Sequence, residues 1–293
     1  MRIAVTGARG QLAAAVIHEC RSDHETIAFA RADLDITDAA AVADAMERVR
    51  PHVVVNGAAY NDVDGAEDHP IEALNLNAFA VRALARAAER LGAVLVHYST
   101  DFVFDGRASQ PYTEEDRPNP RSVYAASKLL GEWFALDAPR AYVLRVESLF
   151  GQAPGGGPMK GSVVGIANAL IGGGPAVVFE DRTISPTYIT DAARATRQLL
   201  DMKAPPGVYH AVNSGQCTWL ELARELARLL GVEPRLVPKR MADVKLRAVR
   251  PLYCALSNAK LQGIGVEMPS WQDALGRYVS ALGASRPPET ARG

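Results

Sequence analysis

Arg2-Ile3-Ala4-Val5-Thr6-Gly7-Ala8-Arg9-Gly10-Gln11-Leu12-Ala13-Ala14-Ala15-Val16 opens the chain and decides how the rest of it is read. Residues 2–6 are a short apolar run of strand type, residues 11–19 are alanine-rich with helical period, and glycines fall between the two. A strand that turns into a helix on glycines brings backbone amides and the positive end of the helix dipole to one point, with no Cβ to block an anion. The spacing is G-x-x-G-x-x-A, which departs from the usual dinucleotide fingerprint, and glycines in such a place can also be a plain tight turn. Position selects the cofactor reading, because this is the first strand–helix turn of a chain that goes on alternating.

The alternation predicts further strands at 26–30, 53–56, 94–99 and 142–146, with helices at 39–49, 71–90 and 124–136 between them. Thr37 or Asp38 is the expected cap of the second helix. Glycine runs at 155–157 and 172–174 mark loops or hinges, and no element is assigned between 151 and 176. The first run reads either as a lid over a ligand or as a connector. Alternation resumes with a strand at 177–179, a helix at 189–200, a strand at 208–211, a helix at 219–230, a short strand at 235–237, and helices near 258–262 and 271–282. The expected fold class is α/β, a doubly wound parallel sheet followed by a smaller unit, with a frayed tail over 284–293.

Composition narrows the partners. The 293 residues carry 32 Lys+Arg against 33 Asp+Glu, a net charge of −1 without the basic excess of a nucleic-acid binder. Hydrophobic residues at 48% and charged ones at 22% suit an ordinary globular core. The 3 cysteines, Cys20, Cys217 and Cys254, are far apart and odd in number, giving neither a disulfide framework nor a metal motif. The 6 histidines show no metal-ligand spacing. Glu114, Glu115 and Asp116 read as a solvated acidic turn. No apolar run is long enough for a signal-peptide core or a membrane span. The expectation is a cytoplasmic protein, monomer or homodimer, with a small-molecule partner and no metal.

Tyr124 and Lys128 are one helical turn apart and share a face. A carbonyl that takes hydride needs a proton on its oxygen, and a tyrosine is a poor donor unless a nearby cation stabilises the phenolate. Thr100 follows the apolar run 94–99, at the carboxyl end of a strand where ligands of such a sheet collect, and its hydroxyl can hold the carbonyl. Arg31, at the end of the second strand, can meet a ribose 2′-phosphate, or it is a plain surface arginine. The Asp35-Ile36 pair can bracket the adenine. Trp219 and Trp271 read as packing at helix starts.

These residues together resemble the extended short-chain dehydrogenases/reductases, and within them the dTDP-4-dehydrorhamnose reductases. The resemblance runs from residue 2 to about 282 and is carried by residues 6–12 (TGARGQL), 56–67 (NGAAYNDVDGAE), 97–106 (HYSTDFVFDG), 112–132 (YTEEDRPNPRSVYAASKLLGE), 185–187 (SPT) and Arg250-Pro251. It implies a Rossmann-type sheet over 1–147 with 177–210 returning to it, and a sugar-nucleotide unit from 148–176 and 211–283. It further implies NADPH or NADH as cofactor, with Gly7, Arg9, Gly10, Gln11 and Leu12 on the pyrophosphate and Arg31, Asp35 and Ile36 at the adenosine end. Ala58, Ala59 and Tyr60 would lie beside the ribose-phosphate, and Tyr98 and Ser99 near the nicotinamide. Asn77 would stand in the helix behind them. Thr100, Tyr124 and Lys128 would be catalytic, with Asp101, Phe104 and Ser148 at the sugar. Arg250 is either a contact to the nucleotide phosphate or a surface ion pair.

Three positions depart from the reductase pattern. Ala13 replaces the usual last glycine, Asn61 stands where threonine is commoner, and the run Val146-Glu147-Ser148 lacks a tryptophan that packs on the sugar. The expected reaction is reduction of a keto group on a nucleotide-linked deoxysugar. A 4,6-dehydratase needs a further acid/base pair, and Phe102 after Asp101 cannot carry a proton. A 4-epimerase also fits the trio, and a cofactor-binding regulatory subunit like the β subunit of methionine adenosyltransferase fits the fold.

Overall fold

A computed structural model describes residues 1–153 and 159–284. The glycine run at 155–157 and the tail beyond 284 lie outside the described residues. Six strands form the central sheet: β1 (Arg2–Thr6), β2 (Glu25–Phe29), β3 (Val53–Asn56), β4 (Val94–Thr100), β5 (Ala141–Val146) and β6 (Gly207–His210). All pair in parallel, in the order β2-β1-β3-β4-β5-β6. The order reverses between β1 and β3, which opens a crevice at their carboxyl ends.

The strands are continuous apolar runs because helices cover both faces. Ile3, Val5, Val53, Val55, Val96 and Leu144 point to one side, against α1 (Gln11–Cys20) and Ile189, Ala192 and Leu199 of a later helix. Ala4, Val54, Leu95 and Val143 point to the other, against Val42 and Met46 of α2 (Ala39–Val49) and Leu84 of α3 (Ala80–Leu91). Of the two candidate caps, Asp38 serves α2, its carboxylate accepting from the amides of Ala40 at 2.9 Å and Ala41 at 3.0 Å.

The helix expected over 71–90 is interrupted. It consists of Pro70–Leu74, a π-helical turn Asn75–Phe79, and α3. The cause is Asn77, whose amide is buried and tied outward: Oδ1 accepts from the Tyr60 N–H at 2.8 Å, and Nδ2 donates to the Ser127 Oγ at 3.0 Å. Ser127 belongs to α4 (Val123–Leu136). That helix passes so close that a Cβ on Gly131 would sit 2.1 Å from the Asn77 carbonyl oxygen.

Residues 162–171, for which no element is expected, form α5 (Ser162–Ile171) with Val163, Ile166, Ala167 and Leu170 buried. Flanking glycines and Gly165 hide its period. Helix α6 (Ile189–Asp201) packs on α1, and α7 (Trp219–Leu230) and α8 (Trp271–Ala284) join α5 around a second core containing Phe150, Trp219, Leu222, Trp271 and Tyr278. A small parallel pair, Ala176–Phe179 with Leu236–Lys239, belongs to it. Among the described residues no helix is long and apolar enough to cross a membrane.

Candidate active site

Two adjoining cavities open at the carboxyl ends of the sheet and share Arg9, Gly10, Ala58 and Ala59. The first, about 870 Å³, is lined by Gly7, Arg31, Asp35, Ile36 and Tyr60. The second, about 850 Å³, is lined by Gln11, Leu12, Tyr98, Ser99, Thr100, Asp101, Tyr124, Lys128 and Ser148. A smaller cavity of about 490 Å³ lies at the opposite strand ends, near Pro51 and His52, and contains none of these groups.

The crevice fits a dinucleotide. Gly7 has φ +66°, and a Cβ there would stand 2.6 Å from the Ala58 backbone nitrogen, so only glycine lets β1 and β3 close to this distance. Helix α1 starts at Gly10 without a side-chain cap, which leaves its first-turn amides for an anion. The Gln11 side chain donates to the Gly151 carbonyl at 3.2 Å and is thereby turned to the protein. In the first cavity Asp35 is already engaged, accepting from the Thr37 N–H at 3.0 Å and its hydroxyl at 2.7 Å. These bonds hold its carboxyl below the usual range, and nearby Arg31 adds to the effect.

Tyr124 reaches the second cavity because α4 begins there: the Ser122 Oγ accepts from the Ala125 N–H at 3.2 Å, and Glu67 accepts from the Val123 N–H at 2.8 Å. Its ring meets Phe102 edge-on at 5.7 Å. Burial pushes the phenol well above its ordinary pKa, the Asp101 charge pushes the same way, and the Thr100 side chain, interacting with the phenol, opposes both. Thr100 ends β4 and donates to the Asp101 carboxylate at 2.9 Å. Lys128 is buried, donates to the Tyr98 carbonyl at 2.6 Å, and is brought down to about 8 by burial against the opposing charge of Glu132. The Tyr98 hydroxyl points away from the cavity to Thr196, 2.7 Å distant.

Several wall residues escaped the sequence reading. Glu147 and Arg182 line the second cavity beside Asp101, and Lys160 and Trp219 line it further out. The Glu147 Oε2 accepts from the Ser185 N–H at 2.5 Å. Arg182 donates to the Cys254 sulfur at 3.5 Å and lies over the Phe102 ring at 5.2 Å. Asp101, Glu147 and Cys254 offer ligand-type atoms within 4.8 Å of one another, but the Arg182 guanidinium already supplies the positive charge there. One signal was available: Glu147 follows the buried strand Ala141–Val146 directly, where a buried carboxylate is unusual. Trp219 packs in the second core, as read from the sequence, and also forms wall. Ser148 has φ +43°, a conformation that non-glycine residues adopt rarely.

Three candidates are not brought to either wall. Asn77 spends its amide on Tyr60 and Ser127. Phe104 is buried, stacked on Tyr112 at 4.1 Å with the Arg145 guanidinium over its ring at 5.0 Å. Arg250 is held bidentately by Asp64, both bonds 2.8 Å, and this pairing keeps the Asp64 carboxyl down at about 2.

Comparison with known proteins agrees with this geometry. The family described as the RmlD substrate binding domain matches residues 1–283. A dTDP-4-dehydrorhamnose reductase of Streptomyces griseus is 37% identical over 287 residues, covering 95% of this chain and 93% of the relative. A probable dTDP-4,6-dihydroxy-2-methyloxan-3-one 4-ketoreductase of Streptomyces antibioticus is also 37% identical, over 100% of this chain and 99% of its own. The crystal structure of a Bacillus anthracis dTDP-4-dehydrorhamnose reductase in complex with NADP superposes with a TM-score of 0.90 at 30% identity, covering 96% of this chain and 99% of that one.

Proposed function

The chain belongs to the RmlD substrate binding domain family, and from that premise we propose how its residues divide the work of an NAD(P)H-dependent reductase acting on the keto group of a nucleotide-linked deoxysugar. The observation that carries the reading is the meeting of Thr100, Tyr124 and Lys128 in one cavity that continues into the Gly7–Gly10 crevice. Gly7, Gly10 and the first amides of α1 take the pyrophosphate, with Arg31, Asp35 and Ile36 at the adenosine. The nicotinamide, when bound, supplies the hydride.

Tyr124 is the proton donor. Burial keeps the phenol protonated but makes it a weaker acid, so its donation depends on a neighbouring cation that lowers the cost of the phenolate. Thr100 fixes the carbonyl oxygen beside it. Lys128, one turn along α4 and anchored on the Tyr98 carbonyl, provides the positive charge that limits the cost of the phenolate. Segments 148–153, 159–176 and 211–283 shape the sugar-nucleotide end, with Ser148, Lys160 and Trp219 in its wall.

The test is consumption of NADPH and NADH against a panel of 4-keto-6-deoxy sugar nucleotides. Tyr124→Phe should lower turnover by about 10²–10⁴-fold while cofactor affinity, followed by fluorescence titration, stays within a few-fold. Stoichiometric release of oxidised cofactor distinguishes reduction from epimerisation, which would retain it. Wild-type protein that binds cofactor and reduces no keto sugar would overturn the reading.

A further inference from the structure

Among the described residues, three buried polar atoms without a hydrogen-bond partner come from one cluster at the sugar end of the second cavity: Asp101 Oδ2, Glu147 Oε1 and Arg182 Nε. The carboxyl groups lie within 4.8 Å of each other, and the Arg182 guanidinium is 3.9 Å from Asp101 Oδ2. One guanidinium balances one buried carboxylate. A second negative charge in the same place would be uncompensated, so the pair retains a proton. Protonating one of the two groups leaves a single carboxylate for the single guanidinium.

The pair connects to the reacting end. Asp101 Oδ1 accepts from the Thr100 hydroxyl at 2.9 Å, and the Thr100 side chain interacts with the Tyr124 phenol. We propose that Asp101 and Glu147 hold one proton in common and that this pair refills Tyr124 through the Thr100 hydroxyl after each reduction. The idea rests on the reductase reading above. Once the Tyr124 O–H has gone to the product alkoxide, the phenolate takes the Thr100 hydroxyl proton. The Thr100 oxygen takes, from Asp101, the one proton that Asp101 and Glu147 share, and both carboxyl groups are left ionised. Each transfer breaks one O–H bond and forms one, with no change of oxidation state. The pair, then doubly ionised beside a single guanidinium, recovers a proton from water.

The surroundings favour this role. Facing the pair are Arg182, Tyr124 from α4, and the buried thiols of Cys254 and Cys217, both held protonated by burial. Burial raises both carboxyl groups above their ordinary range, Glu147 further. Glu147 acts through Asp101 and Thr100, so it is a positioning residue for the proton and not one that touches substrate.

Glu147→Gln tests the proposal, with Asp101→Asn as second variant and circular dichroism and melting as checks on folding. Infrared spectra of cofactor-free wild-type protein at neutral pH should contain a protonated-carboxyl band that Glu147→Gln loses. In stopped flow with NADPH and a 4-keto-6-deoxy sugar nucleotide, Glu147→Gln should keep its first turnover within about twofold. Its steady-state rate should fall at least about tenfold, and imidazole or formate buffer should restore it. Absence of the band in wild type overturns the proposal. So does a first turnover that falls together with the steady state without rescue, or a steady state that does not fall. If Glu147→Gln does not fold, the infrared band decides on Asp101→Asn: its loss there supports the shared proton, and a band kept there overturns the proposal. Wild-type protein that reduces no keto sugar would defeat the reductase reading, and the infrared band would still decide whether the proton is shared.

Discussion

Replacing Lys128 by methionine should make the protein more stable and inactive. The ammonium is buried, and desolvation brings it from 10.5 to about 8. At about 1.4 kcal/mol per tenfold change, keeping that charge folded costs roughly 3 kcal/mol at neutral pH. Methionine has a similar unbranched length and needs no desolvation. Its cost is the lost 2.6 Å bond to the Tyr98 carbonyl, about 1 kcal/mol. The expected net gain is about 2 kcal/mol. Because the folded pKa lies below the unfolded one, the wild-type penalty is complete below pH 8 and fades as pH climbs from about 8 towards 10.5. Urea unfolding of both proteins without cofactor, at about pH 6.5 and about pH 10, reads the difference directly. A variant less stable than wild type at the lower pH, or a gap that does not shrink at the higher one, would refute the reasoning. Loss of turnover with the gain in stability would mark Lys128 as a residue kept for chemistry at the expense of the fold.

Other consequences can be measured on single variants. Gly7→Ala puts a Cβ 2.6 Å from the Ala58 nitrogen at φ +66°, so melting should report a loss of about 1–3 kcal/mol and added NADPH should no longer raise the melting temperature. Glu132→Ala leaves the Arg145 guanidinium buried without its bidentate partner, now at 2.9 and 2.7 Å. A loss of about 3–5 kcal/mol is expected in urea unfolding. Arg31→Ala should weaken NADPH binding about tenfold and leave NADH nearly unchanged, as expected for one lost charge-assisted contact to a phosphate; equal effects on both cofactors would remove Arg31 from the 2′-phosphate.

The cofactor half was legible because its signals are local. Residues 2–6 followed by Gly7 and Gly10 announce a strand, a turn and a helix within one stretch, and the Tyr124–Lys128 spacing declares a shared helix face. The cluster beside Asp101 was not legible for the opposite reason. Glu147, Arg182 and Cys254 come from three distant segments, and nothing in the neighbourhood of any one of them predicts the others. The π turn at Asn75–Phe79 was hidden because hydrophobic period continues across it, and its cause is a tie from Asn77 to Ser127, fifty positions on. Arg250 shows the same limit: before Pro251 it can be read as a phosphate ligand, and only the fold brings Asp64 to it.

What fixes the reacting geometry is the set of buried ties along α4. Lys128 is bonded to the Tyr98 carbonyl of β4, Gly131 is pressed on the Asn77 carbonyl of the π turn, and Glu132 grips Arg145 of β5. Successive positions on one helix are thus fastened to different neighbours, so α4 can neither slide nor rotate without breaking a buried contact. Tyr124, one turn before Lys128, is placed by the core and not by the ligand. Glu147 and Ser148, by contrast, follow the last residue of β5, beyond those ties, and Ser148 already has an unusual backbone. Substitutions at 148 can therefore alter the wall of the second cavity, and substitutions at 147 how the phenol is refilled, while Tyr124, Lys128 and the glycine crevice keep their positions. That separation keeps Thr100, Tyr124 and Lys128 together in the cavity independently of what stands at 147–148.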